Sequence, residues 1–200
     1  MAERPRLVIT GAAGFLGRRL VETLATSWSI VAIDRNVAPG ELETASDGVR
    51  WHRADIASRD SIQPIFEELK RSGGATALLH LAAHYDFTGL RHPEYQRTNV
   101  EGTRLLIELS QGLGLERFVL ASSVAACDFP RRGSALTEAS PPDGRHVYAE
   151  SKRAGEEALR AATESLEGAG YPVERVGAGA ESGIVTRDPW GTALRARAPG

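Results

Sequence analysis

The chain has 200 residues, 42% of them hydrophobic and 25% charged, with a net charge of −2. That composition suits one cored domain, and without a basic block it offers nucleic acid no electrostatic footprint. One cysteine, Cys127, cannot form an internal disulfide, and no run approaches the ~20 apolar residues of a bilayer span. The first six residues already carry charges, and the apolar run after them is too brief for a secretory leader. A soluble, cytoplasmic protein with no membrane and no nucleic-acid partner is expected.

The predicted elements alternate. "RLVIT" (6–10) reads as a buried strand that runs into glycines, and "FLGRRLVETLAT" (15–26) has apolar residues at helical spacing. "SIVAIDRN" (29–36) and "VRWHRADI" (49–56) are strands that each close on an acid. "SRDSIQPIFEELKR" (58–71) is a helix with Ser58 or Asp60 as N-cap, although Pro64 predicts a kink or a later start. "ATALLHLAA" (75–83) is a fourth strand and "PEYQRTNVEGTRLLIELSQGLG" (93–114) a long helix stopped by Gly112 or Gly114. "ERFVLASS" (116–123) is a fifth strand, and "VYAESKRAGEEALRAATESLEG" (147–168) the last helix. Strands alternating with helices of ten residues or more imply parallel crossovers, hence an α/β, doubly wound parallel sheet.

The first strand–helix turn carries Gly11, Gly14 and Gly17 in "TGAAGFLG". Gly11 permits a tight turn, Gly14 lets backbone approach a pyrophosphate, and Gly17 lets the helix pack close. The first-turn N–H groups, at Phe15, Leu16 and Gly17, then face the phosphates. Asp34 ends the second strand, 20 residues after Gly14, where a carboxylate bonds a ribose diol and repels a 2′-phosphate. NAD is therefore expected over NADP, although Arg35 beside it could contact a phosphate. Asp55 ends the third strand. Its side chain, or the backbone N–H of Ile56, could meet an adenine edge; a turn or capping aspartate is the equal alternative.

Near the other end, "YAESK" places Tyr148 one helical turn before Lys152, so phenol and ammonium share a face. Alone that spacing is weak. A nearby ammonium lowers a phenol's pKa from ~10, which would make Tyr148 a usable base. His80 and His84 are spaced four apart with Asp86 near, but His80 lies in a strand, so no metal site is expected. The polar stretch 129–146 reads as a long loop over the mouth of the site, and 84–95 as a second loop there.

The ordered set "TGAAGFLG", "AID", "ADI", "HLAA", "TNVEGT", "ASSVAA" and "YAESK" resembles the extended short-chain dehydrogenase/reductase family, also called the NAD-dependent epimerase/dehydratase family, over roughly residues 6–170. The resemblance implies a Rossmann-type sheet, a bound nicotinamide dinucleotide and a Ser–Tyr–Lys centre of Ser123, Tyr148 and Lys152, with Ser122 as the neighbouring alternative to Ser123. It implies that Leu81, Ala82 and Ala83 lie along the cofactor and that Asn99 helps hold the cofactor site and the lysine. It also implies a small-molecule alcohol or ketone substrate, and a homodimer through the helices at 93–114 and 147–168, with Leu105, Leu106 and Leu109 as candidate contacts unless they face the sheet. Cys127 stands where many members carry a tyrosine, and Asp128 where many carry glycine. "YPVERV" (171–176) could start a sixth strand, but from Gly177 onward Gly, Ala, Arg and Pro make up 15 of 24 residues. The division expected is thus a C-terminally truncated dinucleotide-binding domain at 1–173 and an irregular or partly disordered tail at 174–200, without the family's substrate lobe. A dinucleotide-binding module without turnover is the rival reading.

Overall fold

Five short β-branched and apolar runs form the parallel core of the sheet: β1 (Arg6–Thr10), β2 (Ser29–Asp34), β3 (Val49–Arg53), β4 (Ala77–His80) and β5 (Arg117–Leu120). The computed structural model describes residues 4–43, 48–86, 88–127, 135, 140–168, 173–176, 183–187 and 193–196. The strand order is β3-β2-β1-β4-β5, continued on the β5 side by β8 (Ala193–Ala196), β7 (Gly183–Arg187) and β6 (Val173–Val176). The chain runs outward from β1 through β2 to β3, then returns to lay β4 on the other side of β1. That reversal opens a crevice beyond the carboxyl ends of β1 and β4, the place where open α/β sheets hold ligands.

The helices are α1 (Phe15–Leu24), the short α2 (Pro39–Glu43), α3 (Arg59–Arg71), α4 (Thr103–Ser110) and α5 (Val147–Gly168). Alternation along the strands sends side chains to two cores. Val8, Val31, Ile33, Leu78 and Phe118 pack with Phe66 of α3, Leu106 of α4 and Leu159 of α5. Leu7, Ile9, Ile30, Ala32 and Val49 pack with Val21 of α1 on the other face. Both faces are covered, which is why the strands read as continuous apolar runs.

Several expectations need correction. The predicted helix at 93–114 is two elements: a π-helical segment, Tyr95–Gly102, leads into α4, which ends at Ser110. Leu106 and Leu109 lie in the core, with Leu105 packed against it, so they are not free to make a dimer contact. Ser58 stands at the N-cap of α3, but its side chain makes no capping bond, and the helix runs through Pro64. The fourth strand stops at His80, and α2 had no periodicity long enough to reveal it.

The sheet also continues past its fifth strand. β8 pairs parallel to β5 at Phe118 and Leu194, β7 runs antiparallel to β8, and β6 antiparallel to β7. The stretch from 174 on, read as irregular, thus contains backbone pairing that a Gly/Ala/Arg-rich composition without alternation does not announce. Most of the expected loop at 129–146, with Asp128 before it, lies outside the described residues.

A buried polar chain ties this frame together. Thr10 and His80 sit opposite each other in the β1–β4 register. The Thr103 hydroxyl donates to the Asn99 carbonyl at 2.7 Å, which uses its one proton. His80 Nε2, 2.9 Å from Thr103 Oγ1, must therefore be the donor in that pair. A neutral ring then leaves Nδ1 as acceptor for the Thr10 hydroxyl at 2.8 Å. Burial, aided by the Lys152 charge, pushes the His80 pKa down from 6.5 to about 3 and keeps the ring neutral.

Two outcomes follow. Because the unfolded histidine takes a proton near pH 6.5 and the folded one only near pH 3, the unfolded state binds more protons between those values. Stability should therefore fall with acidification through that window by up to ~1.4 kcal/mol per pH unit from this group. Chemical denaturation of His80→Gln should show a shallower acid slope; an unchanged slope removes His80 as its source. Thr103→Val leaves both His80 Nε2–H and the Asn99 carbonyl without this partner, and should cost roughly 1–3 kcal/mol in the same experiment.

Candidate functional site

Gly11 begins the cradle at the end of β1. Its φ is +73°, and a Cβ there would lie 2.6 Å from the Ala82 nitrogen and 2.8 Å from the Leu81 carbonyl carbon. The glycine is needed as much for the approach of Leu81–Ala83 as for its own turn. Leu81 N–H donates to the Thr10 carbonyl at 3.0 Å, which bends the chain off β4 and onto the cradle. A Cβ on Gly17 would lie 2.2 Å from the Gly11 carbonyl oxygen, so α1 packs directly on the turn. Gly14 caps α1 with extended backbone and no side-chain bond, and no acid occupies the first turn. Phe15 is 96% exposed and Leu16 54%. An uncapped helix start with bare apolar neighbours, aimed at a strand crevice, fits the phosphates of a dinucleotide.

Asp34 reaches back into this turn. Its Oδ2 accepts the Ala13 N–H at 3.0 Å and its Oδ1 the Asn36 N–H at 2.9 Å. Arg35 beside it does not stand free: its Nη1 donates to Glu94 at 2.9 Å. Asp55, just after β3, is engaged by its own turn and by an arginine. Its Oδ1 accepts the Ala57 N–H at 2.9 Å, and its Oδ2 is paired with Arg97. Ile56 is buried, its methyl end 3.0 Å from where a Gly102 Cβ would be.

Asn99 is 3% exposed and spans the crevice wall. Its Oδ1 accepts the His84 N–H at 2.6 Å, while its Nδ2 donates to the His84 carbonyl and to Ser151 Oγ, both at 2.9 Å. Ser151 Oγ in turn donates to the Tyr148 carbonyl at 2.7 Å. One amide thus joins the loop after β4 to the turn of α5 that carries Tyr148 and Lys152.

The two serines after β5 part company. Ser122 donates its hydroxyl to Glu156 of α5. Ser123 accepts the Ala125 N–H at 3.2 Å, capping the 3-10 turn Val124–Ala126, and its hydrogen bond bears on the Tyr148 phenol. Tyr148 is half-buried among rings, with Tyr85 at 4.7 Å, His146 at 6.2 Å and Tyr95 at 6.3 Å between centroids. Contrary to expectation its pKa is raised. Burial is the largest cause; the Ser123 hydrogen bond opposes it, and the neighbouring tyrosines add to it. Lys152, 7% exposed, has its own pKa lowered by burial against the pull of Glu156. The same desolvation acts on both, disfavouring each charged form.

The sequence reading missed Ser151, Glu156 and the Glu94–Arg97 pair. Glu156, one turn after Lys152 on the same face, had a legible spacing, as did Glu94 with Arg97; the pairing of Glu94 with Arg35 had none. His80 cannot ligate a metal while both ring nitrogens are bonded to threonines, and His84 instead stacks on His92 at 4.9 Å.

Residues 7–173 match the family described as "NAD dependent epimerase/dehydratase family". The chain belongs to that family, and its fold is the Rossmann-type sheet. It is 27% identical over 189 residues to a UDP-glucose 4-epimerase of Streptomyces lividans, covering 92% of this chain and 56% of that one. It is 32% identical over 160 residues to a putative dihydroflavonol 4-reductase of Synechocystis, covering 77% and 44%. A UDP-glucose 4-epimerase of Thermus thermophilus, solved in complex with NAD, superposes with a TM-score of 0.68 at 29% identity, covering 80% of this chain and 51% of that one. The chain spans about half the length of these relatives. NAD is the cofactor to which the family and the solved relative point.

Gly11→Ala should lower stability by more than ~2 kcal/mol, since it combines a positive φ with a backbone clash. Urea unfolding reads this directly. A loss below ~0.5 kcal/mol, the range of an unstrained surface change, would mean the cradle and the Leu81–Ala83 segment are not interlocked.

Proposed function

We propose that this chain provides the dinucleotide-binding and catalytic part of an NAD-dependent oxidoreductase, epimerase or dehydratase that acts on an alcohol or ketone through Ser123, Tyr148 and Lys152. The observation that carries the reading is that Asn99, through Ser151, ties the loop after β4 to the turn of α5 that carries Tyr148, with Lys152 buried one helical turn on. Gly11, Gly14 and the first turn of α1 (Phe15, Leu16, Gly17) hold the pyrophosphate, and Asp34 the adenosine ribose. Asp55 and Ile56 border the adenine, while Leu81–Ala83, Asn99, Ser122, Tyr148 and Lys152 border the nicotinamide half. The substrate is sugar-like, sterol-like or acyl-derived.

The nicotinamide, when bound, supplies or accepts the hydride. The chain's own residues handle the proton. Ser123 bonds the substrate oxygen and holds it against Tyr148, whose phenol gives or takes the proton there. Lys152 favours the phenolate and bonds ribose hydroxyls, and Glu156 helps keep it charged under cover. Without ligand, burial outweighs the Ser123 hydrogen bond and raises the phenol's pKa. The burial of Lys152 beside it supports a second reading, a binding module without turnover, in which the same cradle serves sensing or interaction.

The two readings separate on NAD titration followed by turnover on a broad alcohol and ketone panel. Tyr148→Phe should reduce any activity at least ~100-fold, the lower range for a lost acid–base group, while NAD affinity changes less than ~2-fold. Lys152→Ala should weaken both. Equal, measurable rates in wild type and Tyr148→Phe would remove Tyr148 from the mechanism. NAD binding without turnover would leave the module.

A cytoplasmic location and a homodimer through the outward faces of α4 and α5 belong to the same proposal, Leu106 and Leu109 being taken up by the core. Sedimentation equilibrium at micromolar concentration should give twice the chain mass; a monomer refutes the dimer.

A further inference from the structure

Four arginines surround the end of β2 where Asp34 would meet the adenosine ribose, and each is already engaged. Arg53 donates Nε and Nη2 to the Val37 carbonyl at 3.2 and 2.6 Å. Arg18 donates Nε to the Ala13 carbonyl at 3.0 Å and forks onto Glu41, while its guanidinium lies over Trp51. Arg35 and Arg97 converge on one carboxylate, Glu94, just before the π-helical segment. Glu94 Oε2 accepts from Arg35 Nη1 at 2.9 Å and from the Thr98 hydroxyl at 2.7 Å. Glu94 Oε1 accepts from Arg97 Nη1 at 3.0 Å, and Arg97 extends its other arm to Asp55.

A 2′-phosphate is recognised by an arginine fork that is free to turn toward it. Arg35 follows Asp34 directly and is the guanidinium best placed by sequence to do so, yet its charge is committed elsewhere. We propose that Glu94 is a specificity-determining residue of the cofactor site: by clamping Arg35, and with Asp55 Arg97, it withholds from a 2′-phosphate the cations that would offset the repulsion of Asp34. The choice of NAD over NADP is then made by two carboxylates, one that repels the phosphate and one that occupies its would-be partners. The Thr98 hydroxyl and both guanidiniums hold the Glu94 carboxyl well below the usual carboxylate range, so the clamp stays charged at every working pH. The side chains of Arg35 and Glu94 remain 43% and 21% exposed, so the pair sits where an arriving nucleotide can compete for it.

The inference rests on the nucleotide site of the proposed function, and the test separates the two. Dissociation constants for NAD and for NADP are measured by direct titration on four forms of the full chain: wild type, Glu94→Gln, Arg35→Ala and the double variant. Glutamine keeps the shape and the Thr98 contact but removes the charge that holds the arginines. Glu94→Gln should bind NADP about tenfold more tightly than wild type, the scale of one charge-assisted bond gained, with NAD changed less than ~2-fold. The double variant should lose that gain, a coupling between the two sites. Arg35→Ala alone, which leaves Glu94 in place, should not weaken NADP binding, because the clamped arginine contributes nothing to it.

Unchanged NADP affinity in Glu94→Gln, or tenfold weaker NADP binding in Arg35→Ala, overturns the inference while NAD binding keeps the site. Failure of wild type to bind NAD overturns the site and the inference together. Were Glu94→Gln not to fold, the Arg35→Ala arm decides by itself.

Discussion

The site depends on a line of hydrogen bonds whose protons can point only one way. Thr10 donates to His80, His80 to Thr103, and Thr103 to the Asn99 carbonyl. Reversing any bond would leave two donors or two acceptors face to face under cover, at a cost of about 1–3 kcal/mol per stranded group. The line begins on the strand that leads into the glycine cradle, crosses to β4, and ends on the residue whose side chain grips α5. Cradle, crevice wall and the Tyr148–Lys152 helix are thus fixed relative to one another by polar groups that apolar packing alone would not orient. A core of valine and leucine sets distances; these four residues set register and rotation.

Burial around Tyr148 and Lys152 works against the charges that the proposed chemistry would use. Tyr148 and Lys152 are shifted in opposite directions for one reason: each is harder to charge away from water. The effects of the lysine on the phenol and of Glu156 on the lysine must be weighed against that background. Desolvation thus disfavours the phenolate and the ammonium alike, and any group that stabilises either charge must overcome it. Close to the surface the balance is different. At the end of β2, arginines and carboxylates neutralise one another in a solvent-reached network, where selectivity between ligands is the larger consequence and stability the smaller.

The parallel sheet was legible because its central strands β1 and β2 are buried on both faces and read as apolar runs, and because helical stretches separate the strands. The cradle was legible because Gly11 and Gly17 have contacts that admit no Cβ, a constraint that survives in one letter of sequence. The places of Tyr148 and Lys152 on one face of α5 follow from the helical repeat. What stayed hidden depends on long-range geometry. The Glu94–Arg97 spacing is visible in "HPEYQRT", but nothing local tells that Glu94 also gathers Arg35, 59 residues away. The expected fall in the Tyr148 pKa failed for the same kind of reason: spacing reveals which charge is near, but not how much water has been removed. Two arginines of the network, Arg35 and Arg97, look like ordinary surface charges until the fold places them together.

The π-helical turn before α4 has a consequence for how the gene can change. An α-helix advances about 100° per residue, so the wider turn at Tyr95–Gly102 sets the phase of everything after it. In the present phase Leu106, Ile107 and Leu109 face inward while Arg104 and Glu108 face solvent. Loss of one codon within the segment would restore ordinary helical winding. It would also turn α4 by that angle, carrying a charged side chain toward Phe66 and Phe118 and swinging Thr103 off His80. Insertions and deletions are readily absorbed by most loops of such a protein. Here the fold itself fixes the length, because the count of residues between Tyr95 and Thr103 is what aligns the hydrogen-bonded line with the core.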